Sequence, residues 1–247
     1  MFSFSALFSL LLLELPINDS RGDHGGPPAV IGDRNLTLRS DEIPQTLSKL
    51  ILDGPFYCYV EWTQNRQSVD IYTDYNFQPY IAVNIEQDTL SIIFQYDGNY
   101  KFTEMDIYLY LNPNINDIVL GGIATLNSTN ALHTYNSLKL HTQDTSNLIL
   151  ELYVLNLDAM FLSAGTTTLM GYVQNKGIIK YFGIGNVDAS QLYCKFVDIE
   201  ANGLGTISVS GTQGCNIRVQ GVSTVKYNCS NTHTIQLSGL AKLIPVY

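Results

Sequence analysis

Near its C-terminus the chain repeats itself, and the repeat leaves few architectures open. Asp198–Gly211, Asn216–Cys229 and Thr234–Tyr247 are 14 residues long and start 18 residues apart. They align without gaps. Ile199, Ile217 and Ile235 share a column, as do Ala201, Val219 and Leu237; Gly203, Gly221 and Gly239; Leu204, Val222 and Leu240; and Ile207, Val225 and Leu243. Each unit reads as two strands of apolar alternation around a glycine. One such unit cannot bury its apolar side alone. Stacked copies, about 4.8 Å apart, put each column into a ladder and make a continuous core. Glycine recurs where a tight corner calls for φ > 0. The repeat therefore predicts a parallel β-helix with about 18 residues per turn at the C-terminal end. Gly165, Gly183 and Gly185 keep related spacings, so Ile118 to Val197 reads as less regular turns of the same stack.

Upstream the chain is a series of short apolar alternations broken by Gly, Asn and Asp. Phe56–Trp62, Ser68–Thr73, Ile81–Ile85, Thr89–Gln95 and Thr103–Leu111 read as strands. The best helical candidate is Ile43–Leu52, a short segment that runs into Asp53-Gly54. Only 14% of residues are charged and 45% are hydrophobic, a balance that suits strands better than surface helices. The fold class expected is all-β: one β-solenoid domain over residues 34–247, preceded by a Gly/Pro-rich linker over 18–33 and a leader over 1–17.

The leader reading rests on Phe2–Leu13, an apolar run too short to span a bilayer and of signal-peptide length. No later segment reads as transmembrane. Four cysteines, Cys58, Cys194, Cys215 and Cys229, suit an oxidising compartment. Four Asn-x-Ser/Thr sequons stand at Asn18, Asn35, Asn127 and Asn228, the first beside the leader. Secretion is the expected location. The net charge of −9 disfavours nucleic acid and anionic membrane surfaces as partners. In the 18-residue register Cys215 lies about one turn from both Cys194 and Cys229, so either can be its disulfide partner, while Cys194 and Cys229 lie two turns apart. Cys58 is expected to stay a thiol.

Leu50-Ile-Leu-Asp-Gly54, Asp74-Tyr-Asn76 and Val83–Ile92, followed by Ser210-Gly211, Tyr227-Asn-Cys229 and Ser238-Gly239, carry a resemblance. In order and spacing they are similar to the head GIN domain family of auto-transporter adhesins, over most of Pro28–Val246. The chain departs from that pattern at Cys229 and Ser223, both in usual glycine slots. The resemblance implies a β-helical fold, an extracytoplasmic place and no enzyme activity.

Candidate chemistry is sparse. Asp198 and Glu200, and likewise Glu104 and Asp106, point to one face of a strand about 6.6 Å apart, near the separation of inverting glycosidase carboxylates. Their apolar neighbours face inward, so the acids read as solvated. His24, His133, His141 and His233 have no metal-ligand spacing, and no Gly-x-Ser-x-Gly elbow or Walker phosphate loop occurs. No catalytic, metal or cofactor site is expected. Arg21-Gly22-Asp23 is an integrin-type tripeptide in the linker. Tyr108, Tyr110 and Tyr153 fall on outward strand faces, where aromatic rings can stack on sugars. The expected function is non-enzymatic: a secreted solenoid with a binding, adhesion or structural role toward an extracellular glycan or protein surface. The alternative is a secreted polysaccharide lyase or glycoside hydrolase built on a β-helix.

Overall fold

Burial alternates residue by residue through almost every strand, so each strand has an apolar side to cover and stacking covers it. A computed structural model describes residues 28–246; the leader, Asn18, Arg21-Gly22-Asp23 and His24 lie outside them. The chain runs through β1 (Val30–Ile31), β2 (Leu36–Glu42), β3 (Lys49–Asp53), β4 (Tyr57–Trp62) and β5 (Ser68–Asp74) to a 3-10 helix (Tyr75–Tyr80). It continues through β6 (Ile81–Glu86), β7 (Thr89–Phe94), β8 (Tyr100–Lys101), β9 (Met105–Leu111), β10 (Asp117–Gly121), β11 (Thr125–Ser128), β12 (Leu132–His133) and β13 (Ser137–Thr142). Four long strands follow: β14 (Asn147–Phe161), β15 (Thr166–Tyr181), β16 (Asn186–Ala201) and β17 (Thr206–Val219). The last are β18 (Thr224–Cys229), β19 (Thr232–Leu237) and β20 (Lys242–Pro245).

Two parallel ladders run the length of a solenoid of about six turns. One stacks β9, β4, β11, the first half of β14, β15, β16 and β17, then β18 and β20. The other stacks β7, β3, β10, β13, the second halves of the same long strands, and β19. Each long strand thus serves both ladders and turns a corner between them; in β14 the corner falls at the register shift between Val154 and Asn156. Inside, Leu90, Leu50, Ile118, Leu140, Ala159, Ile179, Ile199 and Ile217 form one unbroken column of buried side chains. Each fully buried aliphatic side chain contributes about 1.5–3 kcal/mol of transfer free energy.

At the N-terminal end the excursion from residue 63 to 116 closes the stack. β5 and β2 add to one ladder antiparallel, and β6 adds to the other by a hairpin with β7. The 3-10 helix crosses between them with Phe77 buried against Phe94 and Phe102. Buried Asp74 accepts hydrogen bonds from the Arg34 and Thr103 amides at 2.7 and 2.6 Å, tying the entry segment to this cap. The end of the segment read as linker is therefore structured: Val30–Ile31 pairs with β8.

The repeat register holds where it was read. Ile199, Ile217 and Ile235 pair in sequence across β16, β17 and β19, and Ile207, Val225 and Leu243 across β17, β18 and β20. Upstream, coils lengthen: Thr166 pairs with Asn186 and Val187 with Ile207, steps of 20 residues. Two expectations change. Ile43–Leu52 is not helical; its second half is β3, held between β7 and β10. The Leu204, Val222, Leu240 column does not fill the core. These residues are 55%, 52% and 74% exposed, because they stand on the outer rim of the corner that the glycines turn.

Corner chemistry explains the departures from glycine. Ser223, fully buried, donates from Oγ to the Gly203 carbonyl at 2.8 Å and accepts from the Gly203 amide at 3.1 Å. Tyr181 sits inside the same corner, its hydroxyl 2.6 Å from the Gly185 carbonyl oxygen and 2.8 Å from that of Leu204. Tyr181→Phe is expected to cost about 1–2 kcal/mol by removing the hydroxyl that the buried Gly185 carbonyl shares with that of Leu204. Denaturant unfolding checks this, and an unchanged midpoint contradicts it.

The cysteines separate into two kinds. Cys215 and Cys229 form a disulfide with Cα atoms 6.1 Å apart. Cys58 and Cys194 are buried thiols. Burial pushes Cys194 up to about 12 and Cys58 still higher, the latter helped by Asp106. Neither is a usable nucleophile at neutral pH.

Candidate functional site

On the outside of the first ladder the parallel register places tyrosine above tyrosine. Tyr153 of β14 pairs with Tyr172 of β15, which pairs with Tyr193 of β16. Strand alternation turns all three outward, and they are 38%, 38% and 49% exposed. His133 of β12 extends the file on the N-terminal side, stacked on Tyr153 with ring centres 4.5 Å apart and planes at 6°. Beyond Tyr193 stands Ser210, too small to cover its ring.

These rings line a groove of about 600 Å³, together with Glu151, Met170, Gly171 and Gln191. Three backbone irregularities converge on it. Gly171 holds φ +110°, and a Cβ there would lie 2.1 Å from the Leu152 carbonyl oxygen. Register shifts between Thr168 and Met170, and between Ala189 and Tyr193, interrupt pairing on both sides of β16. Here 20-residue coils give way to 18-residue coils, and the surplus residues Ser190–Leu192 of β16 have no counterpart in β17. Bulges re-aim side chains and open surfaces that a regular ladder keeps flat.

The groove is acidic rather than basic. The Tyr153 hydroxyl donates to Glu151 Oε1 at 3.2 Å, and this contact pushes the phenol above its ordinary value. Asp188 at the bulge accepts from the Ser190 hydroxyl and amide at 2.6 and 3.1 Å. Lys195 turns toward the corner, its Nζ 6.0 Å from the Phe196 ring centre.

Of the tyrosines singled out in the sequence, only Tyr153 lies in this groove. Tyr108 stacks instead on Tyr59, with centres 5.3 Å apart and planes at 19°. Burial, and then Asp106, pushes its phenol upward. Tyr110 lies half-buried under the Arg66 guanidinium, 4.1 Å from its ring centre. Tyr108 and Tyr59 share their column with Asn127 and Ile149, four residues before Tyr153, or about 13 Å along the strand. Tyr172 and Tyr193 escaped the sequence reading because the successive spacings from Tyr153 to Tyr172 and from Tyr172 to Tyr193 are 19 and 21 residues, off the 18-residue template.

The two carboxylate pairs sit in different surroundings. Burial would raise Asp198, but hydrogen bonds from Lys176 and Asn216, at 2.5 and 2.8 Å, hold it below the usual carboxylate range. A carboxylate so held is a poor proton donor. Around it lies a polar cleft of about 340 Å³ with Lys180, Glu200 and Arg218. Asp106 moves the other way, raised first by burial and then by Glu104. His141 and His233 are exposed on separate strands. Among the described residues no group of three His, Cys, Asp or Glu could hold a metal ion. Of the sequons, Asn35 and Asn228 are exposed and Asn127 is half-buried.

Comparison with solved structures places the fold. A crystal structure of an adhesin (described as putative) from Bacteroides fragilis matches with TM-score 0.81 and 20% identity, covering 88% of this chain and all of that one. A structure from Parabacteroides distasonis, described as a putative lipid binding protein, matches with TM-score 0.70 and 16% identity, covering 89% of this chain and all of that one. No curated protein matches by sequence. Among the described residues no helix is long and apolar enough to cross a membrane. The family "Putative auto-transporter adhesin, head GIN domain" matches residues 46–230, from β3 to the disulfide, and the chain belongs to that family.

Proposed function

We propose that this protein is a secreted, non-enzymatic binding protein that attaches to an extracellular surface through the tyrosine groove on its first ladder. The observation that carries the reading is the file of three half-exposed tyrosines in register, at the place where the solenoid breaks its own regularity. Three aromatic side chains left partly in water, contiguous across successive coils, mark a contact site. The adhesin-like family supports attachment as the role, and the disulfide agrees with an oxidising compartment. Asp198, by contrast, is engaged by Lys176 and Asn216, an arrangement that suits a structural carboxylate.

Aromatic contacts contribute about 0.5–1.5 kcal/mol each. Replacing Tyr153, Tyr172 and Tyr193 together by Ala is therefore expected to cut retention on a cell-wall or host-surface preparation by at least about tenfold. The variant is expected to stay folded with only a modest fall in melting temperature, because cross-strand contacts of half-exposed rings contribute about 0.2–1 kcal/mol each. Equal retention by the wild type and a folded triple variant overturns the reading.

A further inference from the structure

The reading above leaves the chemistry of the bound surface open, and the groove narrows it. We infer that it takes an uncharged, extended hexose polymer laid along the solenoid axis. The inference rests on the proposed attachment role and adds the ligand class.

Four observations carry it. First, Tyr153, Tyr172 and Tyr193 occupy successive coils, so their backbone positions recur every ~4.8 Å along the axis. That is close to the advance of one sugar ring in an extended β-linked chain, and a polymer on this line meets one ring per sugar. Second, the rings are flanked by a neighbouring column of Glu151, Met170 and Gln191, whose hydrogen-bonding ends suit a ligand presenting hydroxyls at the edges of apolar ring faces. Third, charge excludes the acidic polysaccharides. The chain carries −9 overall, Glu151 lines the groove, Asp188 stands at the bulge, and the nearby Lys195 is turned to the corner; a uronate polymer would meet like charge. Fourth, β14, β15 and β16 are each paired on both sides, so a peptide cannot enter by adding a strand.

The shape agrees. Rings 38–49% exposed cannot enclose a small molecule, which buries most of its own surface in a pocket. They can support one side of a long chain. His133 covers Tyr153 at one end and Ser210 leaves Tyr193 open at the other, so the polymer continues past Tyr193.

The test uses the full chain, with titration calorimetry against β-1,4- and β-1,3-linked glucose oligomers of two and six units and against galacturonate hexamers, at low salt. Affinity for a neutral hexamer is expected to exceed that for its dimer at least tenfold, and Tyr193→Ala, at the most exposed ring, is expected to weaken the hexamer at least fivefold. Galacturonate is expected to bind at least tenfold more weakly. Preference for galacturonate, equal affinity for dimer and hexamer, or no binding of any glucan overturns the ligand class. In the last case, tyrosine-dependent retention on a cell-surface preparation would leave the attachment role standing. Glucan binding that survives removal of all three tyrosines overturns both.

Discussion

Gly185→Val is expected to break the solenoid in its middle. Gly165, Gly185 and Gly205 stand one above another at the corner between β14, β15, β16 and β17. A Cβ built on Gly185 lies 1.6 Å from the Gly165 carbonyl oxygen, and one built on Gly205 lies 2.0 Å from that of Gly185. No rotamer relieves such a contact, because the clashing atom is the first carbon of the side chain and its neighbour is backbone. The coils must move apart, which breaks ladder hydrogen bonds and opens the column above Ile179. A loss of about 4 kcal/mol or more places the variant in the severe class, a fall of roughly 10 °C or more in melting temperature for a chain of this size. Ile184→Ala is the control. It is the adjacent residue, 64% exposed, and is expected to stay within about 0.5 kcal/mol. Similar melting temperatures for the two variants would contradict the stacking. Because each coil contacts only its neighbours, hydrogen exchange should show protection lost first in β15 and β16.

Cys229→Ser is expected to remove about 3 kcal/mol from the C-terminal coils, and wild-type protein under reducing conditions should lose the same amount. The Cys215–Cys229 bond closes a 14-residue loop around the Gly221 corner, and loops of that size restrict the unfolded chain by about that free energy. Cys229 is the cleaner site to change, being half-buried where Cys215 is fully buried. The effect should be local, fraying β18 to β20 while β14 to β16 stay protected. Peptide mapping of the non-reduced protein gives the direct check. Melting that is indifferent to reductant would count against the bond, and so would Cys215 recovered as a thiol.

These two expectations mark where reading the chain stopped. Cys194 and Cys229 looked like equal partners for Cys215 while an 18-residue register was projected upstream. The coil below is two residues longer, and the register slips again beside Lys195. The Cys194 side chain therefore enters the core over Gly177, with its sulfur 2.8 Å from where a Cβ on that glycine would fall. Likewise Tyr110 was legible as an outward residue, but Arg66, brought in from β5's approach, covers it.

The all-β class, the parallel stacking, the corner glycines and the register of the last three coils were legible in the residues alone. Strand alternation has a fixed period of two, and a stack of near-identical units leaves columns that can be read without coordinates. The antiparallel cap was not legible there, because its pairs join residues such as Leu36 and Asp74 with no repeating spacing. The tyrosine groove was not legible there either. Tyr153, Tyr172 and Tyr193 meet only because the coils between them differ in length. Coil length is fixed by bulges and corners, which depend on how neighbouring coils pack rather than on any local pattern.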